Sequence, residues 1–346
     1  VSLLRSLILR GKQLPNNVWC APLAGCSDLP FREMTARYQP GLMFCEMVKM
    51  EPLLRGDPTT HRMLDRTAAM GPIGAQLCGS KPELAGPAAK IIEDLGFDLV
   101  DLNCGCPVDK VTKDGSGSGL LKHPEKIAEI VSQMVQAVSI PVTVKIRIGW
   151  DHGTLVGPEV VELVEAAGAS AITVHGRTRS QGYQGKACRT TIASCKARSR
   201  TIPVIANGDI FTAEDAVAML QETGCDGLLL ARGTMGSPWI IEEVKQLLAG
   251  GIPLPKKTPE EVRASLLDHL ARIERYQAER KALLDTRRVC CYYLRELKGV
   301  KMLREAINRS PELALVYNLI NQFSWEGVQV GVRSAPEEVS CESCVD

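Results

Sequence analysis

Short apolar runs recur along the chain, each closing on polar or glycine-rich residues: Val18 to Leu23, Leu42 to Met47, Ile73 to Leu77, Leu99 to Asn103, Val142 to Ile146, Ala171 to His175, Pro203 to Asn207 and Gly227 to Ala231. Runs of this length, bounded by turn signals, predict strands buried on both faces. Between them apolar positions fall at helical spacing. Pro124 opens Glu125 to Val138, Pro158 opens Glu159 to Ala167, and Thr212 is placed to cap Ala213 to Thr223 ahead of Gly224. The strand starts lie mostly about 25–40 residues apart, which suits crossover helices and not hairpins. Eight such units in about 240 residues predict a (β/α)8 TIM barrel, an α/β fold. A doubly wound sheet is the alternative, but the first βα turn, Pro22-Leu23-Ala24-Gly25-Cys26, lacks its G-x-G-x-x-G fingerprint.

The helical stretch Trp239 to Leu248 gives way to Gly250-Gly251-Ile252-Pro253-Leu254-Pro255-Lys256-Lys257, where glycine and proline break any helix. From Pro259 to about Phe323 the pattern is helical again and rich in arginine and lysine, including Arg287, Arg288, Arg295 and Lys298. The expected organisation is a barrel over 1–249, a linker over 250–258, a C-terminal all-helical domain over 259–330 and a disordered tail over 331–346.

With 346 residues, 45% of them hydrophobic, the chain can bury a large core. Lys+Arg 41 against Asp+Glu 40 leaves a net charge of +1, so a nucleic-acid site has to be a local basic face. Leu3 to Leu9 is apolar but interrupted by Arg5, and no run approaches the roughly 20 apolar residues of a membrane helix. Thirteen scattered cysteines, with no cleavable leader in view, are expected to be free thiols in a reducing compartment, the cytoplasm.

In a barrel the C-terminal strand ends converge on one mouth, where active sites of this fold lie. Polar residues sit at those ends here: Gln76, Asn103, Cys106, Lys145, His175, Asn207 and Arg232. A single His or Asn at a strand end more often serves the structure, but seven on one rim point to chemistry. The loops Asn207-Gly208-Asp209 and Arg232-Gly233-Thr234-Met235-Gly236 stand where barrels bind phosphate. They read either as tight βα turns or as the seat of a phosphate-bearing cofactor. Cys104-Gly105-Cys106 has no second Cys/His pair at zinc-site spacing, so no metal is expected and Cys104 reads as a packing residue. The run Gly115 to Gly119 lacks the Lys-Ser/Thr ending of a P-loop and reads as a mobile segment.

An ordered set of motifs carries a further likeness: Ala21-Pro22-Leu23-Ala24-Gly25 with Asp28, Pro30, Phe31 and Arg32; Gln76; Asp101-Leu102-Asn103-Cys104-Gly105-Cys106-Pro107; Gly119-Leu120-Leu121; Lys145-Ile146-Arg147; His175-Gly176-Arg177-Thr178-Arg179; Ile205-Ala206-Asn207-Gly208-Asp209; and Arg232-Gly233. Through these the chain resembles the tRNA-dihydrouridine synthases, most of all their bacterial B subfamily. The resemblance implies an oxidoreductase acting on a CH–CH bond. Its FMN, reduced by NADPH, would pass hydride to C6 of a D-loop uridine while a cysteine protonates C5. It implies Cys106 as that proton donor. Pro22, Leu23, Ala24, Gln76, Asn103, Lys145 and His175 would hold the flavin, with Asn207, Gly208, Asp209, Arg232 and Gly233 at its phosphate end. Arg177, Arg179, Arg287, Arg288, Arg295 and Lys298 would grip tRNA, although any one of them could equally belong to a solvated face. No obligate protein partner is expected, and the chain should act as a monomer.

The likeness is incomplete after Gln181-Gly182-Tyr183-Gln184-Gly185, where the family commonly continues Ala-Asp-Trp and this chain has Ala187-Cys188-Arg189. Two readings compete with a tRNA uridine reductase. One is an FMN barrel acting on a free pyrimidine, for which a basic helical module has no use. The other is an RNA-binding barrel without catalysis, which intact Cys106, Lys145 and Arg232 disfavour.

Overall fold

The apolar inner layer at the barrel's N-terminal end includes side chains from a segment ahead of the first predicted strand. In the computed structural model, which describes residues 2–333, an antiparallel hairpin of β1 (Leu7–Leu9) and β2 (Lys12–Leu14) comes first. Its turn places Arg10 and Gly11 at φ 45° and 80°, the left-handed pair that a two-residue hairpin needs. The expected strands begin only at Val18, and no Asn-Gly or Asp-Gly marks this turn in the sequence.

The eight apolar runs form β3 (Val18–Cys20), β4 (Met43–Lys49), β5 (Ile73–Cys78), β6 (Leu99–Cys104), β7 (Val142–Arg147), β8 (Ala171–His175), β9 (Val204–Asn207) and β10 (Gly227–Leu230). From β4 to β10 each pairs in parallel with its sequence neighbour, and β10 pairs back onto β3. The last gap closes through a Trp19–Leu42 bridge, where the Cys20 amide donates to the Leu42 carbonyl at 2.9 Å. The fold is a (β/α)8 barrel.

Alternation along each strand sorts the side chains. Val100, Leu102 and Cys104 of β6 pack outward against the helices. Leu99 points the other way and joins Trp19, Phe44, Ala171, Ile205 and Leu229 in a separate inner cluster. Leu7, Leu9 and Leu14 belong to that same cluster, so the hairpin plugs the barrel's N-terminal end. Above this apolar floor the inner positions turn polar.

Residues 251–258 carry no regular structure. Four helices follow, Pro259–Tyr276, Glu279–Leu294, Lys301–Arg309 and Leu313–Gln322, around an apolar core that includes Leu266, Leu270, Cys290, Leu294, Ile307 and Ile320. Trp239, from the barrel side, enters this core. Gly236, at φ 74°, lets the loop after β10 lie against the helix Glu279–Leu294: a Cβ there would fall 2.4 Å from the Tyr292 carbonyl carbon. Gln277, at the end of the helix Pro259–Tyr276, donates to Asp28 at 3.4 Å, and Arg272 within that helix pairs with Glu33 at 2.8 Å. These contacts seat the helical module beside the barrel mouth.

The described part of the expected disordered tail, residues 331–333, is bonded to the fold, as is the strand just before it. Gln329 and Val330 pair with Lys298 and Leu297, the Gly331 amide donates to the Glu296 carbonyl at 2.7 Å, and Arg333 pairs with Glu243. The remainder of that stretch, with Cys341 and Cys344, lies outside the described residues. The eleven described cysteines are free, and no helix among the described residues is long and apolar enough to cross a membrane.

Candidate active site

Strand register brings Gln76, Asp101 and Thr143 side by side on β5, β6 and β7, with Asn103 and Lys145 level one step nearer the mouth. Gln76 Nε2 donates to Asp101 Oδ2 at 2.7 Å, Thr143 Oγ1 donates to Asp101 Oδ1 at 2.6 Å, and Asn103 Nδ2 donates to Gln76 Oε1 at 2.7 Å. Asn103 Oδ1 in turn accepts the amides of Gly105 and Cys106 at 3.1 and 2.9 Å. Burial raises the Asp101 carboxyl to about 6, against the pull of its hydrogen bonds.

The Cys106 turn is also held from the other side. Its carbonyl accepts from the Ser118 amide at 3.0 Å and hydroxyl at 2.8 Å. Gly117, at φ 58°, lies so close that a Cβ would meet the Cys106 carbonyl oxygen at 2.9 Å. The glycine-rich run expected to be mobile is thus folded onto the turn, with Gly117–Lys122 forming a 3-10 helix whose first five residues are buried. Burial raises the Cys106 thiol above its ordinary range, so it stays protonated at neutral pH; a hydrogen bond from the Val108 backbone and the charges of Arg147 and Lys145 oppose this only in part. Cys104 packs outward, fully buried.

Lys145 reaches the mouth part-buried, and its ammonium has no hydrogen bond or ion pair among the described residues. Burial, then the Arg147 guanidinium, push it down to about 8, while Asp101 and Cys106 pull the other way. His175 is held well below its ordinary range by burial and by Arg147, Lys145, Arg177 and Arg232, which keeps its ring neutral. Arg177 Nη1 lies 3.4 Å from His175 Nε2; since a guanidinium only donates, Nδ1 carries the ring proton.

The loops after β9 and β10 are knitted by Asp209, a non-glycine residue at φ 50°. Its Oδ2 accepts from Arg177 and from the Ala187 amide, each at 2.8 Å, and its Oδ1 accepts from Arg232 at 3.4 Å. Gly208 is bare where a Cβ would strike Ala187 at 2.6 Å and His175 at 3.1 Å. Gly233 packs as tightly, 2.5 Å from the Ile210 carbonyl by the same measure. Asn207 donates to the Leu229 carbonyl at 2.7 Å. Arg232 stacks under Tyr183, 4.2 Å from the ring centroid, and half of Tyr183 is exposed.

Pro22, Leu23 and Ala24 follow β3, beside β10. Ser27 closes their loop, accepting from the Leu23 amide at 2.8 Å, and Glu46 on β4 takes the Gly25 amide at 2.5 Å. The departure at Ala187-Cys188-Arg189 stands next to Asp209: the Cys188 amide donates to the Gly176 carbonyl at 2.6 Å, and a hydrogen bond with Thr191 lowers the exposed thiol.

The expected tRNA-gripping residues divide. Arg177 is turned inward: it is 2% exposed, and besides Asp209 it donates to the Gln184 and Gly185 carbonyls at 3.2 and 2.5 Å. Its charge is used to shape the loop after β8. Arg179 pairs with Asp109 and stacks 4.7 Å from the Trp150 centroid. Arg287 donates to the Ser310 carbonyl, Arg288 pairs with Asp285 at 2.8 Å and Arg295 with Glu296 at 3.2 Å, all part-buried. Lys298 is exposed. Sequence reasoning also gave no role to Asp101, Thr143, Arg147 or Tyr183. The one available signal was a carboxylate in the middle of an apolar strand, Val100-Asp101-Leu102.

A sequence profile of the family described as Dihydrouridine synthase (Dus) matches residues 19–322. The chain belongs to the dihydrouridine synthase family. It is 37% identical over 310 residues to a tRNA-dihydrouridine synthase B of Pseudomonas aeruginosa, covering 90% of this chain and 93% of that protein. A probable tRNA-dihydrouridine synthase 1 of Synechocystis is 38% identical, with 85% and 82% covered. Among solved structures, histamine dehydrogenase from Rhizobium sp. 4-9 superposes with a TM-score of 0.57 at 15% identity over 78% of this chain and 51% of that one. Morphinone reductase gives 0.51 at 15%, over 76% and 94%. At such identities these two structures speak for the barrel alone, whereas this member of the dihydrouridine synthase family matches its sequence relatives along nearly their whole length.

Proposed function

We propose that the chain is a flavin-dependent tRNA-dihydrouridine synthase that reduces the C5=C6 bond of D-loop uridines. The observation that carries the reading is the meeting, at one barrel mouth, of a protonated thiol on a rigid turn, Cys106, with the unpaired ammonium of Lys145 on the adjacent strand.

The residues present fit FMN. An unpaired cation and neutral imidazole at the mouth suit an anionic ring edge, and the bare backbone at Gly208 beside Arg232 suits a phosphate. Pro22, Leu23, Ala24, Gln76, Asn103, Lys145 and His175 would hold the ring, with Asn207, Gly208, Asp209, Arg232 and Gly233 at the phosphate end. When bound and reduced by NADPH, FMN supplies the hydride that adds to C6.

The protein's own part is then positioning and proton supply. As charge builds toward C5 and the C4 carbonyl of the base, the Cys106 thiol delivers a proton to C5 and becomes a thiolate that solvent reprotonates. Lys145 keeps positive charge beside the reacting system. A uridine stacked in RNA is out of reach, so the target base is extruded into the mouth, where the exposed Tyr183 ring, backed by Arg232, offers a stacking surface. Residues 1–249 would act as the catalytic unit and 259–330 as the tRNA-holding unit, working in the cytoplasm where tRNA resides.

Purified protein with FMN, NADPH and tRNA lacking the modification should form dihydrouridine, and tRNA from cells without the protein should lack it at a defined D-loop position. Equal reduction of free uracil would favour the free-pyrimidine reading. Colourless protein that still bound tRNA would favour the non-catalytic scaffold.

A further inference from the structure

Asp101 sits in the middle of the barrel's polar layer with 2% exposure, and nothing above gives it a part in the reaction. Both of its oxygens accept from fixed neighbours, Thr143 and Gln76. It forms no ion pair with Lys145. The consequence lies in direction. A side-chain amide has two orientations, and an ionised carboxylate accepts but cannot donate, so Gln76 must turn Nε2 toward Asp101. That leaves Gln76 Oε1 for Asn103 Nδ2 and Asn103 Oδ1 for the amides of Gly105 and Cys106. If the first amide were reversed, Gln76 would set acceptor against acceptor at Asp101 and donor against donor at Asn103. Turning Asn103 to compensate would put its NH2 against the backbone N–H groups of the turn.

We propose that Asp101 is a positioning residue: it is the fixed acceptor that sets the sense of the Gln76–Asn103 amide relay and thereby holds the Cys106 turn in place for proton delivery. The proton-delivery clause rests on the uridine-reductase reading; the relay is a property of the fold.

Two substitutions separate acceptor geometry from mere occupancy. In Asp101→Asn the new amide can keep its oxygen on Gln76 and donate its NH2 to the Thr143 hydroxyl, which is able to accept, so the relay keeps its sense. Asp101→Ala removes the acceptor and frees Gln76 to turn. The experiment is peptide-resolved hydrogen exchange on the flavin-loaded full chain, together with kcat and KM for tRNA. Asp101→Ala should speed exchange at the Gly105 and Cys106 amides about ten-fold or more while the other barrel strands exchange as before. Its kcat should fall by about ten-fold or more, with KM for tRNA changed less than about two-fold. Asp101→Asn should restore wild-type exchange and most of kcat.

Wild-type exchange at the turn in Asp101→Ala overturns the proposal, as does acceleration by Asp101→Asn equal to that by alanine. If Asp101→Ala does not fold, Gln76→Met breaks the relay one link further on and must give the same local acceleration; unchanged exchange there overturns it equally. Exchange is read without substrate. A wild-type chain that makes no dihydrouridine would therefore sink the functional reading and leave the relay test standing.

Discussion

Arg147 donates from Nε to the Gly105 carbonyl at 3.0 Å, tying strand β7 to the turn that carries Cys106. Its Nη1 donates to the Thr178 and Gly182 carbonyls, both at 2.7 Å, so one buried side chain also fixes the loop after β8. Arg147→Met keeps much of the volume and removes every donor. Each buried carbonyl left without a partner costs about 1–3 kcal/mol, and the turn and the loop are free to part. We expect kcat on tRNA to fall about 10- to 100-fold while flavin absorbance per protein is kept. Lost absorbance with normal turnover per bound flavin would assign the clamp to the cofactor instead.

Cys106→Ala tests proton donation without disturbing the turn, because Asn103 and Ser118 bind main-chain atoms of this residue. Bound flavin should be reduced by NADPH at close to the wild-type rate, and tRNA turnover should drop about 100-fold or more. Rapid-mixing absorbance follows the first half-reaction and dihydrouridine content the second. Undiminished tRNA turnover would take Cys106 out of the mechanism.

The pH profile should carry Lys145's signature. Its pKa in the folded chain, about 8, lies below the ordinary lysine range, so the charge is present below that pH and lost as pH rises through it. The groups facing it are Arg147, Asp101, Cys106 and the neutral His175 ring. The Cys106 thiol is raised, so it loses its proton only at higher pH than an ordinary thiol. Activity should therefore decline on the alkaline side with a midpoint near 8. Lys145→Met should lower the plateau and abolish that limb in kcat/KM against pH, and an unchanged limb would assign it to another group.

Leu14 bears on stability alone. It is 1% exposed in the inner cluster, on the hairpin that plugs the barrel end away from the mouth. Leu14→Ala should cost about 2–5 kcal/mol, read as a lower denaturation midpoint, with kcat unchanged below the transition. A large loss of kcat at unchanged stability would mean that the plug reaches the chemistry.

The barrel was legible because its code is local: each of the eight apolar runs forms its own strand, and polar residues at strand ends share a mouth whatever the details. What escaped depends on partners far along the chain. Asp101 gains its meaning from Gln76 and Thr143, 25 and 42 residues away, and Arg177 from Asp209, 32 residues away. Its place in the His175-Gly176-Arg177-Thr178-Arg179 motif made Arg177 look like a tRNA contact, and the sequence does not show the partners that bury it. The hairpin plug was missed for another reason: three leucines spread over Leu7 to Leu14 become a cluster only once the barrel interior exists.

That distinction between buried and exposed arginine or lysine yields a last prediction. Lys298 stands exposed on the helical module, free to meet a phosphate, whereas Arg177 is spent inside the loop after β8. Lys298→Ala should weaken tRNA binding a few-fold and reduce the slope of log affinity against log salt by about 1, the mark of one lost phosphate contact. Arg177→Ala should leave that slope alone and instead lower stability and flavin retention, because Asp209 and two carbonyls lose their donor. Binding measured at several salt concentrations separates the two. A wild-type slope in Lys298→Ala would remove this residue from the RNA-binding face, and a reduced slope in Arg177→Ala would mean that the loop opens to present its guanidinium when tRNA arrives.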